Sequence, residues 1–245
     1  MLNDLLLISG LDIPFFPAQT VIHQPMLKEI AYIGEESFFQ GCELINFSKD
    51  VLEEEVKSSL VDKTNFDVLM SIIVDRTPQG RSTRRIMLDL LSLLFPEYEA
   101  DFTMEGIILT SDKHQTKITN NNFARLKEIV CAMFCLEKKK DDTSNYNPGN
   151  TRAAEIAKKL RKGREKAASA RNEKHKISIL SRYVSILAVG EKKDLNSFKN
   201  YTVYQLYDEF QRFELKQNFD MYVQAKMAGA KDMEEVDNWM KELHP

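Results

Sequence analysis

Residues 64–96, with the sequence TNFDVLMSIIVDRTPQGRSTRRIMLDLLSLLFP, determine the fold class predicted for this chain. Apolar side chains recur there at intervals of three and four residues, which places them on one face of an α-helix. The first such face consists of Phe66, Leu69, Met70 and Ile73, and the second of Ile86, Leu90, Leu93 and Leu94. We predict a helix after the cap residues Thr64 and Asn65, and another that begins near Ser82 and stops before Pro96.

The same periodicity predicts helices on both sides of this stretch, after an opening segment to Gln24 that we expect to be extended or irregular. Pro25 suits the first position of a helix that runs to about Gly41. The asparagines at 120–122 offer N-caps for a helix with apolar residues from Phe123 to Met133. Two further helices are predicted from apolar faces formed by Ile177, Leu180, Val184 and Leu187, and by Val203, Leu206, Phe210 and Phe213.

In residues 103–119 the apolar side chains do not follow the helical spacing of three and four residues. Residues 103–110 and 115–119 flank a polar turn at Ser111–His114, a pattern typical of a β-hairpin. The predicted fold is therefore mainly α: an α-rich N-terminal domain at 1–137 with a small hairpin, and a helical C-terminal module at 151–245. Residues 138–150 combine charges with turn-forming residues, which is typical of a linker.

The formal net charge of −3 over 245 residues hides a strongly basic block. Residues 1–137 carry 12 basic and 21 acidic side chains, whereas residues 151–176 carry ten basic and three acidic ones. We predict that this block forms a basic helix at the start of the C-terminal module. The composition favours a solvated helix or semi-rigid connector, and the alternative is a docking helix for acidic protein or phosphate.

Composition excludes several classes of protein. No stretch approaches the roughly 20 apolar residues of a membrane span, so we expect no membrane partner. Asp4 stands where a signal peptide carries a basic residue, and the three cysteines suit a reducing compartment. We therefore expect a cytoplasmic protein that is not secreted.

The sequence contains no signature of catalysis, of a metal site or of a cofactor site. The four histidines are scattered, and Cys131 and Cys135 lie among apolar residues that favour core packing over metal binding. The segment Asp75–Ser82 has one glycine and no lysine, which favours a turn before a helix cap at Ser82 over a phosphate loop. We expect a non-enzymatic protein without cofactors.

Partner binding is the remaining class of function. Tyr204 and Tyr207 lie on a flank of the apolar face of the last predicted helix, where they are candidates for partner anchors. The other candidate partner-binding residues surround the axis of the basic helix: Arg152, Lys158, Lys159, Arg161, Lys162 and Arg164.

Three segments are similar to proteins encoded beside tail genes of long-tailed bacteriophages. They are residues 22–39, from Ile22-His23-Gln24-Pro25 to Phe38-Phe39; residues 202–210, Thr-Val-Tyr-Gln-Leu-Tyr-Asp-Glu-Phe; and residues 228–240, from Ala-Gly-Ala-Lys to Trp-Met. In these segments the chain resembles the tail assembly chaperones.

This resemblance implies a non-enzymatic phage tail assembly chaperone with an α-rich N-terminal domain that coats the tape measure protein. A second helical domain would recruit the tail tube protein, and a homo-oligomer is compatible with this role. One alternative is a structural virion protein of the tail or baseplate. A second alternative is nucleic-acid binding through residues 152–176, although no aromatic platform for base stacking accompanies them.

Overall fold

The computed structural model describes residues 3–49, 60, 62–136, 178–229, 236–241 and 243. The fold is mainly α, as predicted. The described helices are α1 (Asp4–Ser9), α2 (Leu27–Ile33), α3 (Glu35–Ile45), α4 (Asn65–Val74), α5 (Pro78–Leu94), α6 (Asn120–Met133), α7 (Ile179–Glu191) and α8 (Val203–Met227). The strands are β1 (Ile13–Phe15), β2 (Thr20–Ile22), β3 (Glu99–Thr103), β4 (Gly106–Thr110) and β5 (Gln115–Ile118), and 3₁₀ turns occupy Phe16–Ala18 and Leu195–Asn200.

The opening segment is more regular than its composition predicts. Asn3 caps α1 by accepting a hydrogen bond from the amide of Leu5 at 3.0 Å, and Gly10 ends the helix with a φ of 65°. Strands β1 and β2 then pair antiparallel with Ile13 opposite Ile22. The expectation of an extended or irregular segment therefore holds for the extended strands β1 and β2, and it is wrong for residues 4–9, because Asn3 and Gly10 cap a helix there.

The predicted helix from Pro25 to Gly41 is two helices. Gly34 separates α2 from α3 with a φ of 88°, a backbone conformation that residues other than glycine rarely adopt. Helix α2 also begins later than predicted, at Leu27, and the carboxylate of Glu29 accepts a hydrogen bond from the amide of Met26 at 2.7 Å.

Helix α4 confirms the prediction from Thr64. The hydroxyl of Thr64 accepts from the amide of Asp67 at 3.1 Å, and the carboxylate of Asp67 accepts from the amide of Thr64 at 3.0 Å. Helix α5, by contrast, begins at Pro78 and not near Ser82. Thr77 caps it by accepting a hydrogen bond from the amide of Gly80 at 3.1 Å. The segment 75–82 therefore consists of a turn at its beginning and the first turn of α5.

The predicted hairpin is confirmed as β4 and β5, but its first strand begins at Gly106, because Thr103 ends the preceding strand β3. The three strands form one sheet with the order β3-β4-β5. The register aligns Phe102 with Ile107 and Ile107 with Ile118, and all three side chains are buried. The asparagines after this sheet lie inside α6, and none of them is its N-cap residue, which is Thr119. Thr119 precedes the helix, and its amide donates to the side-chain oxygen of Asn122 at 2.7 Å.

One cluster of buried apolar side chains extends from the N-terminal body, our name for residues 3–136, to α7 and α8, the C-terminal helices. It includes Phe38 and Leu90 of the body together with Leu187 and Leu206 of the C-terminal helices. The amide of Leu27 donates to the carbonyl of Tyr201 at 2.8 Å, so the two parts also share backbone hydrogen bonding. The predicted linker at 138–150 and the basic block at 151–176 lie outside the described residues.

Candidate partner-binding surface

Tyr183 of α7 lies at the centre of an aromatic contact between the C-terminal helices. Its ring stacks on that of Phe210 with centroids 4.0 Å apart, and it meets the ring of Tyr207 edge-on at 5.2 Å. Near the end of α7, Gly190 lies against Phe213. The contact is so close that a Cβ at position 190 would come within 2.3 Å of the phenyl ring. Residues 214–227, the distal half of α8, therefore extend past the end of α7.

Tyr204 is a core residue, which corrects its prediction as a partner anchor. Its exposure is 5%, because α8 begins between the N-terminal body and α7, with α1 and α6 packed against it. Burial, with the nearby charges of Asp4 and Asp208, raises the pKa of Tyr204 to about 12. The periodicity of α8 alone could not reveal this burial, since the covering residues are remote in sequence.

Tyr207 is half-buried, with its ring against Tyr183. Burial is the main reason that the pKa of Tyr207 is raised to about 12, with contributions from Tyr183, Cys135 and Glu35. Its role as a partner anchor stays a prediction. The candidate residues of the basic helix, Arg152, Lys158, Lys159, Arg161, Lys162 and Arg164, lie outside the described residues.

Helix α7 carries a second apolar stripe that the sequence reasoning missed. Ile179, Ile186 and Val189 are 42%, 38% and 80% exposed, whereas Leu180 and Leu187 of the same helix are buried. Their spacing of seven and three residues is visible in the sequence. We call these three residues the outer face of α7.

The distal half of α8 is the other apolar surface. The fully buried residues of α8 all lie in its first turn, whereas Met221 and Met227 are 58% and 83% exposed. Arg212, just before the distal half, donates hydrogen bonds to the carbonyls of Trp239 and Lys241 and so fixes the C-terminal segment beside α8. A 25-residue helix is about 37 Å long, so its distal half presents a contact surface about 20 Å long.

The three cysteines are buried or half-buried, and none of them forms a disulfide. Burial raises the pKa of the Cys42 thiol, and it raises that of Cys135 to about 11, so neither is a reactive thiolate at neutral pH. Within the part of the chain that the structure describes, no three metal-ligating side chains converge. No described helix is both long and apolar enough to cross a bilayer.

A comparison with protein families places the C-terminal helices in a phage context. The sequence model of the YomV second domain matches residues 171–244, which include α7, α8 and the segment held by Arg212. No curated protein and no solved structure matches the chain. Because the YomV family is phage-derived, the match indicates a bacteriophage protein, and it falls on the region that carries both exposed apolar surfaces.

Proposed function

We propose that the protein is a non-enzymatic tail assembly chaperone of a bacteriophage. In this proposal it binds the tape measure protein and brings tail tube subunits to it. The observation that carries the proposal is the exposure of the outer face of α7 and the distal half of α8, within the region that matches a phage-derived family. The resemblance in sequence to tail assembly chaperones supports the specific role.

The resemblance assigns the tape measure protein to the N-terminal domain. The proposal places it instead on the C-terminal helices, because the exposed apolar side chains of α7 and α8 fit an elongated helical client. Exposed apolar side chains on helices bind the apolar stripe of another amphipathic helix and thereby keep it from aggregating. Methionine suits a client whose sequence varies along its length, because its unbranched side chain adapts to irregular surfaces. The distal half of α8 offers two such residues, Met221 and Met227.

Co-expression with the tape measure protein of the same phage tests the proposal. We expect the client to become soluble and to elute with the chaperone in gel filtration. A client that stays insoluble, with no complex, would contradict the proposal. Mass spectrometry of purified virions separates a chaperone, which is absent from the particle, from a structural tail or baseplate protein, which is present in stoichiometric amounts.

Two surface substitutions locate the binding surface. Val189→Ser and Met227→Ser remove exposed apolar side chains, so we expect little change in the free energy of unfolding. We expect each to weaken client binding about 10-fold, as the loss of a moderate anchor does. Phe16→Ser is the matched control, because Phe16 is 82% exposed but lies on the N-terminal hairpin. Equal affinity in all three variants would place the client elsewhere.

A further inference from the structure

The imidazole of His23 lies between two carboxylates. Its Nδ1 is 2.9 Å from Oδ1 of Asp12, and its Nε2 is 3.2 Å from Oε2 of Glu29. The His23 side chain is 21% exposed, compared with 48% for Asp12 and 34% for Glu29. Only the imidazolium ion carries a proton on both nitrogens, so only the protonated ring can donate to both carboxylates. A neutral ring must turn a lone pair toward one of them.

This contact lies within the N-terminal body and adjoins the joint, the place where Met26 and Leu27 meet Tyr201 and Thr202. Glu29 also accepts a hydrogen bond from the amide of Met26 at 2.7 Å, and Met26 pairs with Thr202, the cap residue of α8. The next amide, that of Leu27, donates to the carbonyl of Tyr201 at 2.8 Å. The carboxylate that holds His23 therefore also orders the backbone that carries α8.

Burial and the carboxylates of Asp12 and Glu29 have opposite effects on the pKa of His23. His23 shares a cavity of about 230 Å³ with Asp12, Glu97 and Tyr98, whose ionisable groups are all acids. The Tyr98 hydroxyl accepts a hydrogen bond from Thr20. Burial lowers the pKa of His23, but hydrogen bonds and charge interactions with Asp12 and Glu29 outweigh it, and the net change is an increase from 6.5.

We infer that His23 is a proton-dependent clasp for the joint between the N-terminal body and the C-terminal helices. With His23 protonated, the clasp links Asp12 to Glu29 and fixes residues 23–29. When the ring loses its proton, one of the two contacts becomes repulsive, and the joint at Leu27 and Thr202 loosens. The inference concerns the chain alone and does not rest on the proposed client.

The sign of the pH effect follows from the raised pKa. A group whose pKa is higher in the folded protein stabilises it fully below the pKa of the unfolded state, which is 6.5 for histidine. That stabilisation is lost as the pH rises through the folded-state pKa. The joint should therefore be tightest in mildly acidic solution and should loosen toward alkaline pH.

Amide hydrogen exchange of the full-length protein tests the clasp. The amide of Leu27 reports on the joint directly, because its hydrogen-bond acceptor is the carbonyl of Tyr201. After correction for intrinsic exchange rates, we expect this amide and the amides of residues 202–206 to exchange several-fold faster once His23 is neutral. His23→Gln should abolish this dependence on pH. His114→Gln should retain it, because His114 lies in the exposed turn between β4 and β5.

A direct titration keeps the inference testable if His23→Gln does not fold. The NMR titration of the His23 ring in the wild-type protein should give a pKa above 6.5. Asp12→Asn, a change at a half-exposed surface residue, should lower it. A pKa at or below that of an unfolded histidine would overturn the clasp. Unchanged pH dependence of Leu27 exchange in His23→Gln would overturn it as well.

Discussion

At the scale of single residues, the most informative polar side chain is that of Gln24. It is 1% exposed, and its amide nitrogen donates to the carbonyls of Leu6 at 2.9 Å and Leu11 at 2.6 Å. These hydrogen bonds connect α1 and the residue that follows its C-cap to the segment that follows β2. A glutamine at the end of a segment expected to be extended or irregular gives no sign of this burial, because the carbonyls that accept its hydrogen bonds lie 13 and 18 residues away.

Replacing Gln24 tests the contribution of these bonds. We expect Gln24→Leu to lower the free energy of unfolding by about 1–3 kcal/mol, because the carbonyls of Leu6 and Leu11 lose a donor that leucine cannot replace. Gln40→Leu is the matched control on the exposed side of α3, with an expected change within about 0.5 kcal/mol. Urea denaturation measures both. Equal stability of the two variants would contradict a structural role for Gln24.

At the scale of elements, the start of α7 depends on a residue of α3. Oε1 of Glu35 accepts hydrogen bonds from the amides of Ile179 at 2.7 Å and Leu180 at 3.1 Å. Ser178 caps the amide of Ser181 at 2.9 Å, so three of the amides that a helix start leaves without an intrahelical acceptor are satisfied. The negative charge of Glu35 also lies at the positive end of the helix dipole of α7.

Two substitutions separate the hydrogen bonds of Glu35 from its charge. We expect Glu35→Ala to cost about 1–2 kcal/mol in free energy of unfolding, as the loss of a helix cap does. Glu35→Gln keeps an acceptor oxygen and should cost about 0.3–1 kcal/mol, the contribution of the helix dipole. Denaturant unfolding measures both changes against the exposed Glu43→Ala of the same helix. If Glu35→Ala has no larger effect than Glu43→Ala, the cap does not stabilise the docking of α7.

At the scale of the whole molecule, the charge of the chain is unevenly distributed. Residues 1–137 have a net charge of −9 and residues 151–176 a net charge of +7. Opposite charges within one chain attract over about 10 Å at moderate ionic strength, and salt screens this attraction. The sequence therefore predicts that the basic block docks on the acidic N-terminal body.

Small-angle scattering tests this docking. We expect the radius of gyration to increase when NaCl is raised from about 50 mM to about 500 mM, because the Debye length falls well below 10 Å. A variant in which Lys158, Lys159, Arg161 and Lys162 are replaced by glutamine should be extended at both concentrations. A radius that salt does not change in the wild-type chain would contradict docking.

The sequence predicted those elements whose signals are local. The Thr64 cap and the apolar face of α4 lie within ten residues of each other, and the β4–β5 hairpin depends on a four-residue turn. Predictions of helix boundaries were wrong where a glycine or a cap residue interrupted the helical spacing of apolar side chains. The left-handed backbone at Gly34 split one predicted helix, and the cap at Thr77 moved the start of α5 to Pro78.

The amino-acid sequence by itself determined that the protein is mainly α and where most of its helices lie, because helical periodicity depends on neighbours three and four residues apart. Only the tertiary structure decided which faces of those helices are covered. Tyr204 is buried by α1 and α6, while Val189 and Met227 stay exposed, although all three are nonpolar or aromatic residues on helices. The pairing of His23 with Asp12 and Glu29 likewise depends on how the chain folds back on itself.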